Sequence, residues 1–134
     1  MNLKGEYIMA VKFYKCPHCG NIIIKLHDAQ VPVVCCGQKM EELIPGTTDA
    51  AVEKHVPAVS VDGKKVSVKV GSVEHPMLDV HYIEFIVLES KEGIQVKYLK
   101  PEEAPAAEFV LSESDEPVAV YEYCNLHGLW KADC

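Results

Sequence analysis

From Pro57 to the end of the chain, apolar and polar residues alternate with a period of two. That is the signature of strands with one buried face. "PAVSV" and "KKVSVKVG" flank Asp62-Gly63, a dipeptide that favours a tight hairpin turn. "HYIEFIVLES" and "IQVKYLK" flank a Lys-Glu-Gly turn, and "AEFVL" and "PVAVYEYC" follow with turn residues between them. The pattern predicts six or seven strands, and no segment of this half keeps a helical period. An antiparallel β-sandwich of immunoglobulin-like size fits that number of strands in that length.

The first third is patterned differently. Its apolar runs, "VKFYK", "NIIIKL" and "VPVVCC", are short and broken by Pro, Gly and His-Asp. Residues 11–45 are too few to bury a core of their own, so a metal staple is expected there. "IPGTTDAAVEKH" reads as a linker, in which Thr47, Thr48 and Asp49 are candidates to cap one helical turn through Ala50–Glu53. The expectation is an all-β chain of two domains, residues 1–45 and 46–134. Residues 1–8 form an extension before the organised sequence, and Met9 offers an alternative start.

Composition narrows the function. The 134 residues carry a formal charge of −7, with thirteen lysines and no arginine. That excludes the basic stripe a nucleic-acid surface wants, and it means a small anionic substrate must be drawn in by local positive charge. No apolar run is long enough to span a membrane. "MNLKGEYIMAVKFYK" lacks the apolar core of a secretory signal, so a cytoplasmic protein is expected. In that compartment six cysteines point to metal ligation rather than a disulfide framework.

The cysteines fall in two groups. "YKCPHCGN" gives Cys16-x2-Cys19, and Cys35 and Cys36 follow after a gap of fifteen residues. A Cys-x2-Cys knuckle with a second pair at that distance closes a tetrahedron of four thiolates, which suits zinc or a single iron about equally. Adjacent residues of an extended chain point to opposite faces, so Cys35 and Cys36 reach one ion only through a local twist. His18 lies inside the knuckle but finds no vacancy among four sulfurs.

The second group is dispersed. His55 leaves the linker, and His75 and His81 bracket "EHPMLDVHY". Cys124 closes a long strand, with His127 three residues on. Loops at one end of a sandwich cluster, which would let these five meet. Zinc structural sites close at four ligands, whereas five donors suit an iron with one open position. Fe(II), one thiolate and four neutral imidazoles sum to about +1, which favours a small anion there.

"CPHCG…VVCCGQKM…EKHVP…GSVEHPM…HYIE…YCNLHGLWK" resembles the two-iron superoxide reductases, or desulfoferrodoxins, over nearly the whole chain from Val11 to Ala132. The resemblance implies a desulforedoxin-like, rubredoxin-type first domain holding iron through Cys16, Cys19, Cys35 and Cys36. It implies an immunoglobulin-like second domain whose iron is held by His55, His75, His81 and His127, with Cys124 as axial thiolate. It further implies one-electron reduction of superoxide to hydrogen peroxide without release of dioxygen, a rubredoxin-like electron donor and a homodimer. Lys54 would attract superoxide and help protonate the product, and Glu53 would bind the oxidised iron once product leaves. Asn125 and Leu126 could offer backbone amides to the Cys124 sulfur, and Trp130 and Tyr123 read as packing residues. Three other readings compete: a rubredoxin-like electron carrier working through the four-cysteine iron, a zinc-stapled interaction domain, and a superoxide dismutase.

Overall fold

The computed structural model describes residues 11–134; the expected extension at residues 1–8 lies outside the described residues. The chain forms two compact units that meet between Ile44 and Pro45. In the first, β1 (Phe13–Lys15) is the centre of a three-stranded antiparallel sheet with β2 (Ile22–Ile24) and β5 (Glu41–Leu43). A small hairpin of β3 (Val34–Cys35) and β4 (Gln38–Lys39) completes it. Of the described residues in this unit, Phe13 and Cys16 alone are buried, in keeping with the shortage of core expected from its length.

The second unit opens with one helical turn, α1 (Val52–His55). It lies two residues later than expected, with Ala51 at its N-cap and no side-chain cap from Thr47, Thr48 or Asp49. The His55 ring instead ties back to the Ala51 carbonyl, with Nδ1 at 2.7 Å. Seven strands follow in two sheets. β6 (Pro57–Asp62), β7 (Lys65–Val70) and β10 (Ala106–Val110) run in the order β10-β7-β6. β8 (Ile83–Ser90), β9 (Gly93–Tyr98), β11 (Pro117–Cys124) and β12 (Gly128–Asp133) run in the order β12-β11-β8-β9. All pairings are antiparallel. The result is the all-β, immunoglobulin-like sandwich that the alternation predicts.

One turn and one strand differ from expectation. Asp62 pairs with Lys65, so the β6–β7 turn residues are Gly63 and Lys64. Gly63, at φ +62°, takes the first central position, as a type II′ turn requires. Strand β12 is not foreseen at all, because "LWKAD" is short and carries charge at Lys131 and Asp133.

The core is the alternate-residue face of these strands. Val66, Val68 and Val70 from β7, Ile86 and Leu88 from β8, Phe109 from β10 and Val120 and Cys124 from β11 form one buried cluster. Cys124 is therefore packed at the end of a hydrophobic wall, which fixes its position.

At the opposite end of β8 and β11, Asp115 closes the sandwich. Its carboxylate accepts from the Ser90 hydroxyl at 2.6 Å, the Glu92 amide at 3.0 Å and the Glu116 amide at 2.8 Å. Burial pulls this acid upward, but the three donors together outweigh it and hold it below the usual carboxylate range. Asp115→Ala leaves those donors unmatched and is expected to cost about 2–3 kcal/mol. Because the folded-state pKa is depressed, this contribution is present at neutral pH and is lost as pH falls through it. Urea melts should therefore show wild type and Asp115→Ala converging in stability below roughly pH 4; a pH-independent gap would contradict it.

Candidate metal centres

In the first unit the sulfurs of Cys16, Cys19, Cys35 and Cys36 all lie within 4.8 Å of one another. Cys19 and Cys35 are 3.6 Å apart and Cys35 and Cys36 4.0 Å. A tetrahedral ion with bonds of ~2.3 Å requires sulfurs about 3.8 Å apart, a spacing that these two pairs bracket and that suits zinc or iron. The twist that adjacent cysteines demand is the β3–β4 turn itself. Cys36 and Gly37 have φ of +54° and +71°, the pair of left-handed residues that a type I′ turn uses.

Charge in this cage is uneven. The Cys19 amide, 3.4 Å from the Cys16 sulfur, is the largest influence holding that thiol down to about 6. The Cys36 thiol is pushed up to about 12, chiefly by its contact with Cys19. Four sulfurs this close cannot all ionise against one another. A cation at their centre is what would permit it.

In the second unit the donors converge from three separate segments. His55 ends α1, His75 and His81 stand on the β7–β8 connection, and Cys124 and His127 flank the start of the β11–β12 turn. Ring centroids of His55 and His75, His75 and His81, His81 and His127, and His127 and His55 are 4.7, 4.7, 5.0 and 4.9 Å apart. Each neighbouring pair is near-perpendicular, at 78–89°, while His55 and His81 face each other at 6.5 Å and 29°. The four imidazoles thus make a square, in the order 55-75-81-127. The Cys124 sulfur lies 3.8 Å from His127 Nδ1.

The hydrogen bonds test whether a cation belongs there. His55 Nδ1 donates to Ala51 O at 2.7 Å and His75 Nδ1 to Pro76 O at 2.6 Å. Both protons being on Nδ1, the two Nε2 atoms carry bare lone pairs, yet they stand 3.2 Å apart. His127 Nδ1 is also 3.2 Å from His55 Nε2, and His81 Nε2 is buried without a partner. Lone pairs facing one another repel, so this arrangement suits a metal ion between them. Burial is the leading cause that holds His55, His75 and His81 below the ordinary imidazole range, His75 down to about 4. Neutral rings are what a metal needs.

The sulfur has its own support. Burial pushes the Cys124 thiol up, and the backbone amides of Leu126 and His127 offset part of that. The Asn125 amide, expected to serve here, donates to Tyr82 O at 3.2 Å instead. Glu122, on the same strand face, is wholly buried and neither oxygen has a described partner. Burial pushes its carboxyl up to about 9, so it stays protonated at neutral pH and places no second negative charge behind the sulfur.

Glu53 and Lys54 are exposed on α1, beside the buried His55. Lys54 lines an open cleft of about 410 Å³ that reaches His75, with Glu74, Glu102 and Glu103 on its other walls. It is the one lysine among the described lining residues. The Val73 amide and Ser72 hydroxyl hold α1 through Glu53 O at 2.9 and 3.2 Å. Gly71 permits this docking, since a Cβ there would stand 2.6 Å from Glu53 O and 2.9 Å from Val56 O.

Sequence reasoning reads Trp130 as packing, and its contacts are more specific. Its ring stacks on His55 at 5.0 Å and 28°, and its Nε1–H donates to His127 O at 3.0 Å. Tyr123 stacks on Phe85, at 5.5 Å and 8°. His18 is exposed and outside both groups.

Comparison with known proteins agrees with this geometry. The family described as "Desulfoferrodoxin" matches residues 47–133, and "Desulfoferrodoxin, N-terminal domain" matches residues 10–43. The desulfoferrodoxin of Nitratidesulfovibrio vulgaris is 48% identical over 91% of this chain and 95% of its own. A desulfoferrodoxin homolog of Archaeoglobus fulgidus is 45% identical over 91% and 96%. The crystal structure of the superoxide reductase from Treponema pallidum is similar with a TM-score of 0.79 and 38% identity, covering 93% of this chain and all of that one. With both of its units matched in their own order, this chain belongs to the desulfoferrodoxin family.

Proposed function

We propose that this protein is a superoxide reductase, catalysing O2•− + e− + 2 H+ → H2O2 without release of dioxygen. The observation that carries the reading is the square of four imidazoles beside a buried thiol, opening on a cleft whose described lining holds a single lysine. The chain carries two iron centres. Cys16, Cys19, Cys35 and Cys36 would hold one, and zinc satisfies the same cage. His55, His75, His81, His127 and Cys124 would hold the other, whose iron would supply the single electron.

The chain's own residues do the rest. Lys54 offsets one of the three carboxylate charges of its cleft and is the local positive charge that would guide a small anion in despite a formal charge of −7. Its ammonium would also hold a proton for the product. The neutral imidazoles and protonated Glu122 keep the second centre from accumulating negative charge. Glu53, one residue from Lys54 on the same exposed turn, is suited to close the site after product leaves. A rubredoxin-like donor would return the electron, a homodimer would be the working assembly, and the cytoplasm the working compartment. Among the described residues, no helix is long and apolar enough to cross a membrane.

Stoichiometry tests the reaction. With a chemical donor in excess, each superoxide should yield one hydrogen peroxide and no dioxygen. Dioxygen at half the superoxide consumed would make the protein a dismutase. Lys54→Ala should slow the reaction with superoxide about tenfold and flatten its ionic-strength dependence, with iron content unchanged. Pulse-generated superoxide followed optically at several salt concentrations measures both, and an unaltered rate constant would remove Lys54 from the mechanism.

A further inference from the structure

An imidazole ligand needs something to fix its ring. His55 and His75 have that support in their Nδ1 hydrogen bonds to Ala51 and Pro76 carbonyls. His127 is held through its backbone, where Trp130 donates to its carbonyl. His81 differs. No described residue hydrogen-bonds its ring, and its Nε2 is buried without a partner. Packing holds the ends of its loop, where Met77 and Tyr82 lie against the core, but not the tip, for Leu78 and Val80 are 58% and 73% exposed.

What is held is the backbone on either side. The Asn125 side chain accepts from the Tyr82 amide through Oδ1 at 2.9 Å and donates to the Val80 carbonyl through Nδ2 at 3.1 Å. The Asn125 amide adds a third bond, to Tyr82 O at 3.2 Å. These contacts span 43 and 45 residues of chain and grip the residues immediately before and after His81. A Leu78–His81 bridge closes the loop from its other side, with amide-to-carbonyl distances of 2.9 and 3.1 Å.

We propose that Asn125 is a positioning residue that aims His81 into the metal centre. Its side-chain amide reads both the carbonyl before the histidine and the N–H after it, which fixes the ring's direction through the backbone. Because Asn125 directly follows Cys124, the same clamp sets the distance between the sulfur-bearing strand and the His81 loop. No other standard side chain of that length offers one acceptor and one donor at a fixed separation. The proposal rests on the second centre holding iron as argued above.

The test uses the full-length, iron-loaded protein. Asn125→Ala should release iron from the second centre to a ferrous chelator about ten- to a hundredfold faster than wild type. The optical bands of its oxidised second centre should shift and broaden, while those of the four-cysteine centre stay unchanged. Asn125→Asp, which keeps the acceptor for Tyr82 and loses the donor to Val80, should change in the same direction by less, and it decides the matter if the alanine variant fails to fold. Asp115→Asn, at the far end of the sandwich, controls for general loss of stability and should leave release and bands as in wild type. Release within twofold of wild type in the folded Asn125 variant, or an equal change in Asp115→Asn, would overturn the clamp alone. A wild-type chain that takes up no second iron would overturn the functional reading, and the clamp with it.

Discussion

Replacing His75 with alanine is expected to empty the second centre and lower superoxide reduction more than about a hundredfold, leaving the four-cysteine centre intact. The ring is 2% exposed and one corner of the square, with its Nε2 3.2 Å from that of His55. It also lines the cleft that Lys54 shares. Its removal opens a buried gap, leaves the Pro76 carbonyl without its 2.6 Å donor and takes away one of five donors. Iron analysis with visible spectra of the oxidised protein would show one ferric site of two. A rubredoxin-like carrier working through the first centre predicts the opposite, full function in this variant, and that result would sink the present assignment.

The second large effect concerns the first unit. Cys16→Ser is expected to unfold residues 11–44 while the sandwich stays folded. The unit has five strands of two or three residues each and, of those described, two buried side chains, one of which is Cys16 itself. A structural metal in such a domain contributes about 10–16 kcal/mol, far more than this core supplies. Amide hydrogen exchange should lose protection across β1–β5 and keep it across β7, β8 and β11. Protection of β1–β5 in metal-free protein would show the unit stands without its staple.

Legibility from sequence divided by range. The sandwich was readable because a period of two declares which face each strand buries, and the cysteine cage because its knuckle is local. Donor types were readable for the second group, but their meeting only through the expected clustering of loops and the family resemblance, since the relevant pairs are 20 and 72 residues apart. The Asn125 side chain gave no signal. An asparagine in a hairpin loop ordinarily bonds its own backbone, and here it reaches to another loop. Trp130 was readable as a packing residue, and it is buried, but its contacts with His55 and His127 were not, since β12 itself was not expected. Glu122 sits mid-strand between Val120 and Cys124, where alternation places it inward but charge argues outward. Its protonation resolves the conflict, at a cost no local pattern announces. Gly71 had a simple local signature, a glycine ending a strand, without any hint that another backbone passes so near.

The square of histidines has a mechanical side. An ion gripping His55 and His127 closes a loop of some seventy residues, nearly the entire second unit, as a cross-link would. Closing a loop of that size in the unfolded chain is worth about 4 kcal/mol. Iron there would therefore rivet the first turn of the unit to its last hairpin, so that scavenging the metal slackens the very rim through which the anion enters.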